Sequence, residues 1–465
     1  MVPTGTIQQT IELLKTSLTG LHVDINPVIL EDLAVLIHEA MTVNARSFHT
    51  IEHVFTLSDG SNPIQALAAL FHDIVYFEVD QGFTTRIYYV LSTHITQSNG
   101  DIVLKKTFDT DDTAYRVTLD MFGFKPGQKL SRVKGLNEFL SALLMIKLLE
   151  FIVPLVYLVK ILACIEATIP FRGINKFGQT PAEVIERRLS HINQTYNLGL
   201  LATEIEAATM NAVIFSNRDV MNFAESDTGR FLDNTWKLLP ELNPNLRLQG
   251  YYSIKSYRKG LEKMESFMLQ LNPGSIFNRY AGEPSPTDYE RMLEFANRNI
   301  ATARQYLGIE LLSATILEAL AEITGGDVPV ALFIGGIDGE LPDGQKKWED
   351  FLPDVPATSN IRQNSTIFDL LAFGRTSSSS FDLQHSPLSL FLFKSLELEN
   401  TNTLLTVARK YYSGQMEAHT FLNAVPASIM HAISSACAEM AITRQAELLA
   451  YADSRIRMIE SAQTT

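Results

Sequence analysis

Only two cysteines, Cys164 and Cys437, occur in 465 residues. A disulfide scaffold and a four-cysteine zinc site are thereby excluded, and the count fits a reducing, cytoplasmic compartment. Positive charge is also scarce: 38 Lys and Arg stand against 52 Asp and Glu, a formal net charge of −14. Such a chain is poorly suited to non-specific binding of nucleic acid or of an anionic membrane, so neither is expected as a partner. Long apolar runs are missing too. The most apolar stretch, 139–169, is interrupted by Lys147, Glu150, Pro154, Lys160 and Glu166, and its longest uncharged piece is 151–159. That is far short of the ~20 apolar residues a spanning helix needs, and the stretch reads as two core helices broken near Pro154. The N-terminus has no basic segment leading into an apolar core, so no signal peptide is expected. There is no repeat of fixed period and no Gly-x-Ser-x-Gly elbow. Gly335-Gly336-Ile337-Asp338-Gly339 lacks the Gly-Lys-Ser/Thr ending of a phosphate loop and reads as a turn cluster.

What is present is globular: 46% hydrophobic and 19% charged residues, in a length that corresponds to about two to four domains. Ile7, Ile11, Leu14 and Leu18 fall on one helical face, and over 28–41 Leu30, Leu33, Val35, Leu36 and Ile37 are expected to face a core. Pro63 opens an apolar helix over 64–76. Residues 81–135 differ: β-branched and aromatic pieces (84–91, 102–108) alternate with an acidic turn (Asp109, Asp111, Asp112) and with Gly123, Pro126 and Gly127. This segment reads as an insertion with short strands in a helical domain. Helical patterns resume at 135–169, 181–196 and 199–213, then at 251–271 and 286–323, and one last helix is expected over 427–462. The fold class expected is therefore all-α in the main. Its divisions are a helical core over 1–235 with 81–135 inserted, a helical region over 240–325, a loop-rich segment over 326–386 that includes the run Ser377-Ser378-Ser379-Ser380, and C-terminal helices over 387–465.

Chemistry concentrates in one place. Three of only ten histidines, His49, His53 and His72, fall in a 24-residue window, and Asp73 follows the third at once. A spacing of four puts His49 and His53 on one side of a helix. The His72-Asp73 pair follows the apolar run Ala66-Leu67-Ala68-Ala69-Leu70-Phe71. Adjacent ionisable groups in such a frame cost several kcal/mol unless something compensates. A divalent metal ion does so, because it takes neutral imidazole and carboxylate together; Mn, Mg, Zn, Fe, Co and Ni remain open.

These residues resemble the HD superfamily of metal-dependent phosphohydrolases, whose signature is the His-Asp pair itself. The closer likeness is to the small bacterial HD phosphohydrolases with an "H…H…AAxFHDxVY" segment, here His49, His53 and Ala68-Ala69-Leu70-Phe71-His72-Asp73-Ile74-Val75-Tyr76. Their "NExxSA" segment is matched by Asn137-Glu138-Phe139-Leu140-Ser141-Ala142, which arrives about 64 residues after the pair, in keeping with an insertion. The spacing of the first two histidines is also similar to the "HNxxH" of cyclic-nucleotide phosphodiesterases, with Thr50 in place of Asn. The likeness spans roughly 1–230, about 50 of them inserted, and leaves 240–465 without an account.

The resemblance implies an HD-type helical core in which His53, His72, Asp73 and Asp219 hold the metal. Asp219 is taken from Asn217-Arg218-Asp219-Val220, where Asn217 replaces the first Asp of a "DxDL" pattern; Asp227 and Asp233 are the next candidates. It places His49 and Asp73 at the catalytic centre, with His49 protonating the leaving oxygen. Asn137, Glu138, Arg172 and Arg218 would contact substrate, the arginines neutralising phosphate. The substrate implied is a small phosphorylated molecule of the nucleotide class; a homo-oligomer is left open. One departure stands out: Phe171 sits three residues after Thr168, where the family often has a histidine, with Glu166 as the candidate replacement ligand. Two other readings stay open: a di-iron oxygenase on the same fold, and a non-catalytic regulatory or scaffold protein. The insertion, the unassigned C-terminal half and Phe171 favour the second of these.

Overall fold

The computed structural model describes residues 5–98, 100–247, 252–334, 347–358, 365–376 and 386–463. The turn cluster at Gly335 and the serine run at 377–380 lie outside the described residues. The chain is predominantly helical and divides into two compact units. The first holds the residues up to Ala224 together with Leu271–Asn297, the second Glu225–Gln270 and the residues from Arg298 onward. Among the described residues, no helix is long and apolar enough to cross a membrane.

In the first unit the helices are α1 (Thr6–Gly20), α2 (Pro27–Met41), α3 (Ile51–Ser58), α4 (Pro63–Phe71), α5 (Thr85–Leu91), α6 (Thr113–Phe122), α7 (Leu136–Leu149), α8 (Leu155–Ala167), α9 (Pro181–Thr195) and α10 (Ala202–Asp219). Local signals account for where they begin. Asn62 accepts a hydrogen bond from the Gln65 amide while Gln65 reaches back, and Pro63 supplies a preset first turn, so α4 starts on a capping box. Thr180, Pro181 and Glu183 do the same for α9. The apolar stretch 139–169 forms α7 and α8, and the chain breaks between them just before Pro154 caps α8. Both helices are buried on nearly every face, and with α4 they form the centre of the core. Gly135, at φ 87°, leads into α7. A β-carbon there would stand 2.4 Å from Ile169 Cδ1, so the α7 start and the α8 end approach closely only because the side chain is absent.

The inserted segment carries a small antiparallel hairpin, β1 (Ile95–Ser98) with β2 (Asp101–Leu104), in the register Ile95↔Leu104 and Ser98↔Asp101. It is more helical than its composition indicates. The β-branched and aromatic piece 84–91 folds as α5, started by the Thr84 hydroxyl, which accepts from the Ile87 amide. Its Ile87 and Leu91 are buried, so packing overrides strand propensity there. A further helix, α6, is capped by Asp112 and ended by Gly123 in the left-handed conformation.

In the second unit the main helices are α11 (Thr228–Trp236), α12 (Leu239–Leu242), α13 (Ile254–Gln270), α14 (Pro286–Ile323, its residues from Arg298 belonging here), α15 (Val330–Ile334), α16 (Ser365–Phe373), α17 (Pro387–Tyr412), α18 (Ala418–Ala424), α19 (Ala427–Met440) and α20 (Gln445–Gln463). The single last helix expected from 427 to 462 is two. Ala441 leaves helical geometry at φ −90°, ψ 68°, a short 3-10 turn follows, and α19 and α20 pack on one another. Ile433 and Leu448 are both buried, and the Ser434 hydroxyl donates to the Leu448 carbonyl at 2.8 Å across the two helices.

Candidate metal centre

Helix α4 ends earlier than expected. It stops at Phe71; His72 is its C-cap, with its amide on the Ala68 carbonyl at 2.8 Å, and Asp73 lies just beyond. Asp219 is the last residue of α10. Two acidic or imidazole-bearing ends are thus helix C-termini, where the partial negative charge of the backbone favours a cation. His53 sits in the first turn of α3. His49 is not on that helix at all. Thr50 takes an extended conformation and caps α3, so the same-face argument for His49 and His53 fails, although the two rings still lie 6.4 Å apart, nearly perpendicular. His49 instead stacks edge-on against Tyr76 at 4.6 Å and Phe48 at 4.9 Å.

The structure brings His53, His72 and Asp73 together: one ligand atom from each lies within 4.8 Å of the others. Asp219 joins them, with Oδ1 3.1 Å from His53 Nε2 and 3.5 Å from His72 Nε2. Asp73 Oδ2 is 3.0 Å from the same His72 nitrogen. His72 is buried, and its Nδ1 lies 3.0 Å from the Ala69 carbonyl oxygen. A carbonyl only accepts, so Nδ1 carries the proton and Nε2 offers a lone pair. Nε2 is close to two carboxylates yet aligned with neither, and it makes no hydrogen bond. A buried, orphaned imidazole nitrogen facing two carboxylates is the donor set a divalent ion takes.

The electrostatics agree. Burial works against a charge on His72, but the adjacent Asp73 and the nearby Asp219 outweigh it and hold its proton affinity well above the usual histidine range. Burial likewise raises Asp73 and Asp219, and the histidines overcome it: His72 and His49 hold Asp73 well below the usual carboxylate range, and the hydrogen bond from His53 together with the nearby His72 brings Asp219 down to about 2. A cluster that draws a proton this strongly draws a dication by the same Coulombic route. Glu138 is different. Burial pushes its carboxyl up to about 7; Asp73 adds to the rise and Arg172 opposes it.

The other expected residues are placed as follows. Asn137 accepts the Phe77 amide at 3.2 Å, and Ser141 accepts the Val75 amide at 3.0 Å. These two residues of α7 therefore clamp the chain that follows the His-Asp pair. Arg172 lays a two-pronged contact on Glu166 (2.6 and 3.0 Å), which Arg188 also meets at 2.6 Å. Glu166 is 1% exposed, and a carboxylate so buried needs this counter-charge. It is held by two guanidinium groups, which corrects its reading as a replacement ligand. Arg218 donates to Ser61 Oγ at 2.7 Å. Asn217 binds the backbone of Asn278 in both directions at 2.8 Å, a clamp rather than a ligand. Asp227 caps α11, and Asp233 pairs with Arg375. Phe171 adopts a left-handed φ of 57° and meets the Phe223 ring edge-on at 5.6 Å.

Two contributors escaped the sequence reading. Ser141 lies inside the "NExxSA" match without having been given a role. Arg46 opens the segment that carries His49 and His53, and only its packing distinguishes it from a surface arginine. No family model, curated protein or solved structure matches this chain.

Proposed function

We propose that the protein is a metal-dependent hydrolase of the HD type, acting on a small phosphoester or phosphoanhydride of the nucleotide class. The observation that carries this reading is His72 Nε2, buried, without a hydrogen bond, and facing Asp73 and Asp219 beside His53. His53, His72, Asp73 and Asp219 would hold one divalent ion. When bound, such an ion supplies Lewis acidity at a phosphoryl oxygen and an activated water near neutral pH.

The chain's own residues supply the rest. His49, oriented by Tyr76 and Phe48, gives its proton to the leaving oxygen, a task suited to imidazole near pH 7. Glu138, with its carboxyl near 7, exchanges a proton with the attacking water. Arg172 stands close enough to Glu138 to affect its charge, and its positive charge favours a phosphate drawn to the same side. Tyr76 and Phe48 offer ring faces for a base.

Metal analysis and turnover together test the reading. The protein, incubated with Mn2+ and desalted, is expected to retain the ion and to hydrolyse members of a panel of nucleoside mono-, di- and triphosphates and generic phosphodiesters. His72→Ala and Asp73→Ala should fold and lose both properties. Full turnover in either variant refutes the catalytic assignment, and metal retention without turnover on any substrate favours the regulatory reading.

A further inference from the structure

We infer that Arg46 is a positioning residue for the metal ligands: its guanidinium sets the spacing between the segment that leads into His53 and the turn that carries His72 and Asp73. The inference rests on the metal-dependent reading above. Arg46 lies in the loop between α2 and α3, and its side chain has no solvent exposure. Nε and Nη2 form a fork on the Asp80 carboxylate at 2.9 and 2.6 Å. Nη1 donates to the main-chain carbonyl of Asp73 at 2.7 Å and lies 3.1 Å from Met41 Sδ, and Nη2 lies 3.5 Å from the Ile74 carbonyl. One planar group therefore ties three strands of backbone: the approach to α3, the peptide of a candidate ligand, and the turn after it, where Asp80 is itself anchored by its amide on the Tyr76 carbonyl at 2.9 Å.

The consequence for the site is geometric. Asp73 lies past the end of α4, and the peptide that joins it to Ile74 is held at both ends: the Ile74 amide donates to the Phe71 carbonyl at 3.2 Å, and Arg46 donates to the Asp73 carbonyl at 2.7 Å. The Arg46 hydrogen bond is the shorter of the two and ties this peptide to the approach to α3, and with it the direction in which the Asp73 carboxylate leaves the chain toward His72. The same guanidinium belongs to the loop that delivers His53 seven residues later. Lysine cannot reproduce this, since an ammonium lacks the flat fork that meets a carboxylate at two points and a carbonyl at a third. Asp80 is the counter-charge that keeps a fully buried guanidinium in place.

Mn2+ binding by isothermal titration calorimetry, run beside thermal melts of the same metal-free samples, tests the assignment. The variants are Arg46→Lys and Asp80→Asn, which keep side-chain size, and Val117→Ala, a cavity in α6 with no contact to the site, as a control for lost stability. Expected is a 10–100-fold rise in the Mn2+ dissociation constant for the first two, the range typical when a group that orients a ligand is lost, and no change beyond twofold for Val117→Ala at a comparable drop in melting temperature. Folded Arg46→Lys and Asp80→Asn with wild-type affinity overturn the assignment. So does equal weakening in Val117→Ala, and so does failure of both site variants to fold, which makes the pair purely structural. A wild-type protein that binds no Mn2+ removes the metal reading itself, an outcome distinct from all of these.

Discussion

Replacing Glu138 by glutamine is expected to stabilise the first unit, and only above the acid range. Glu138 titrates near 4.5 in an unfolded chain and near 7 in place, because burial, joined by the charge of Asp73, disfavours its ionised form. A raised folded value means that the group's contribution is fully favourable below pH 4.5 and is lost as pH rises through 7. At 1.36 kcal/mol per pH unit, the ionised carboxylate costs up to about 3 kcal/mol at pH 8, and the partly exposed edge of the side chain lowers that to about 1–3 kcal/mol. Glutamine keeps the shape and removes the titration, so Glu138→Gln should match the wild type at pH 4.5 and exceed it at pH 8. Both tryptophans, Trp236 and Trp348, lie in the second unit, so tryptophan fluorescence does not follow this effect. Amide hydrogen exchange across α7 does, and comparison at equal pH cancels the intrinsic exchange rate. Mn2+ should shrink the difference, since a dication offsets the charges of Asp73 and Asp219 that help keep Glu138 protonated. An α7 protection difference that is the same at pH 4.5 and pH 8 refutes the argument.

Metal retention should fall as pH drops from 8 to 5, because protons compete for His72, whose proton affinity is raised by Asp73 and Asp219; equal retention across that range, measured by metal analysis after dialysis, contradicts it. Glu166→Gln should destabilise the first unit by about 2–4 kcal/mol, since it leaves Arg172 and Arg188 facing an uncharged buried group; a loss below about 0.5 kcal/mol by urea unfolding would show that the guanidiniums re-solvate freely. Gly135→Ala should lower stability by about 1–3 kcal/mol, from the left-handed backbone and the contact with Ile169 Cδ1. A thermal melt unchanged from wild type would mean that the turn into α7 relaxes.

Legibility differed from element to element. Helix α4 was readable because Asn62, Pro63 and Gln65 announce its start and an apolar run fills it; its end was not, because His72 and Asp73 carry no breaker and the chain leaves the helix to meet Arg46 and Ser141. Segment 84–91 misled because propensity speaks for strand while Thr84 and the core speak for helix. His49 misled because a spacing of four implies a shared helical face only if the helix includes both residues. Glu166 looked like a spare ligand since nothing in the local text reveals that Arg188, 22 residues on, folds back onto it.

Patterns of period and residue type, which depend on neighbours along the chain, determined the helical class, the apolar α7–α8 pair and the identity of His53, His72 and Asp73 as candidates. Only the tertiary structure decided that Asp219 closes on them from a position 166 residues beyond His53, that Asn137 and Arg172 are engaged with protein partners, and that a buried arginine holds the turn carrying His72 and Asp73. Those facts depend on which distant groups share a volume, and burial is what turns an ordinary arginine, aspartate or glutamate into an anchor, a candidate ligand or a weaker acid.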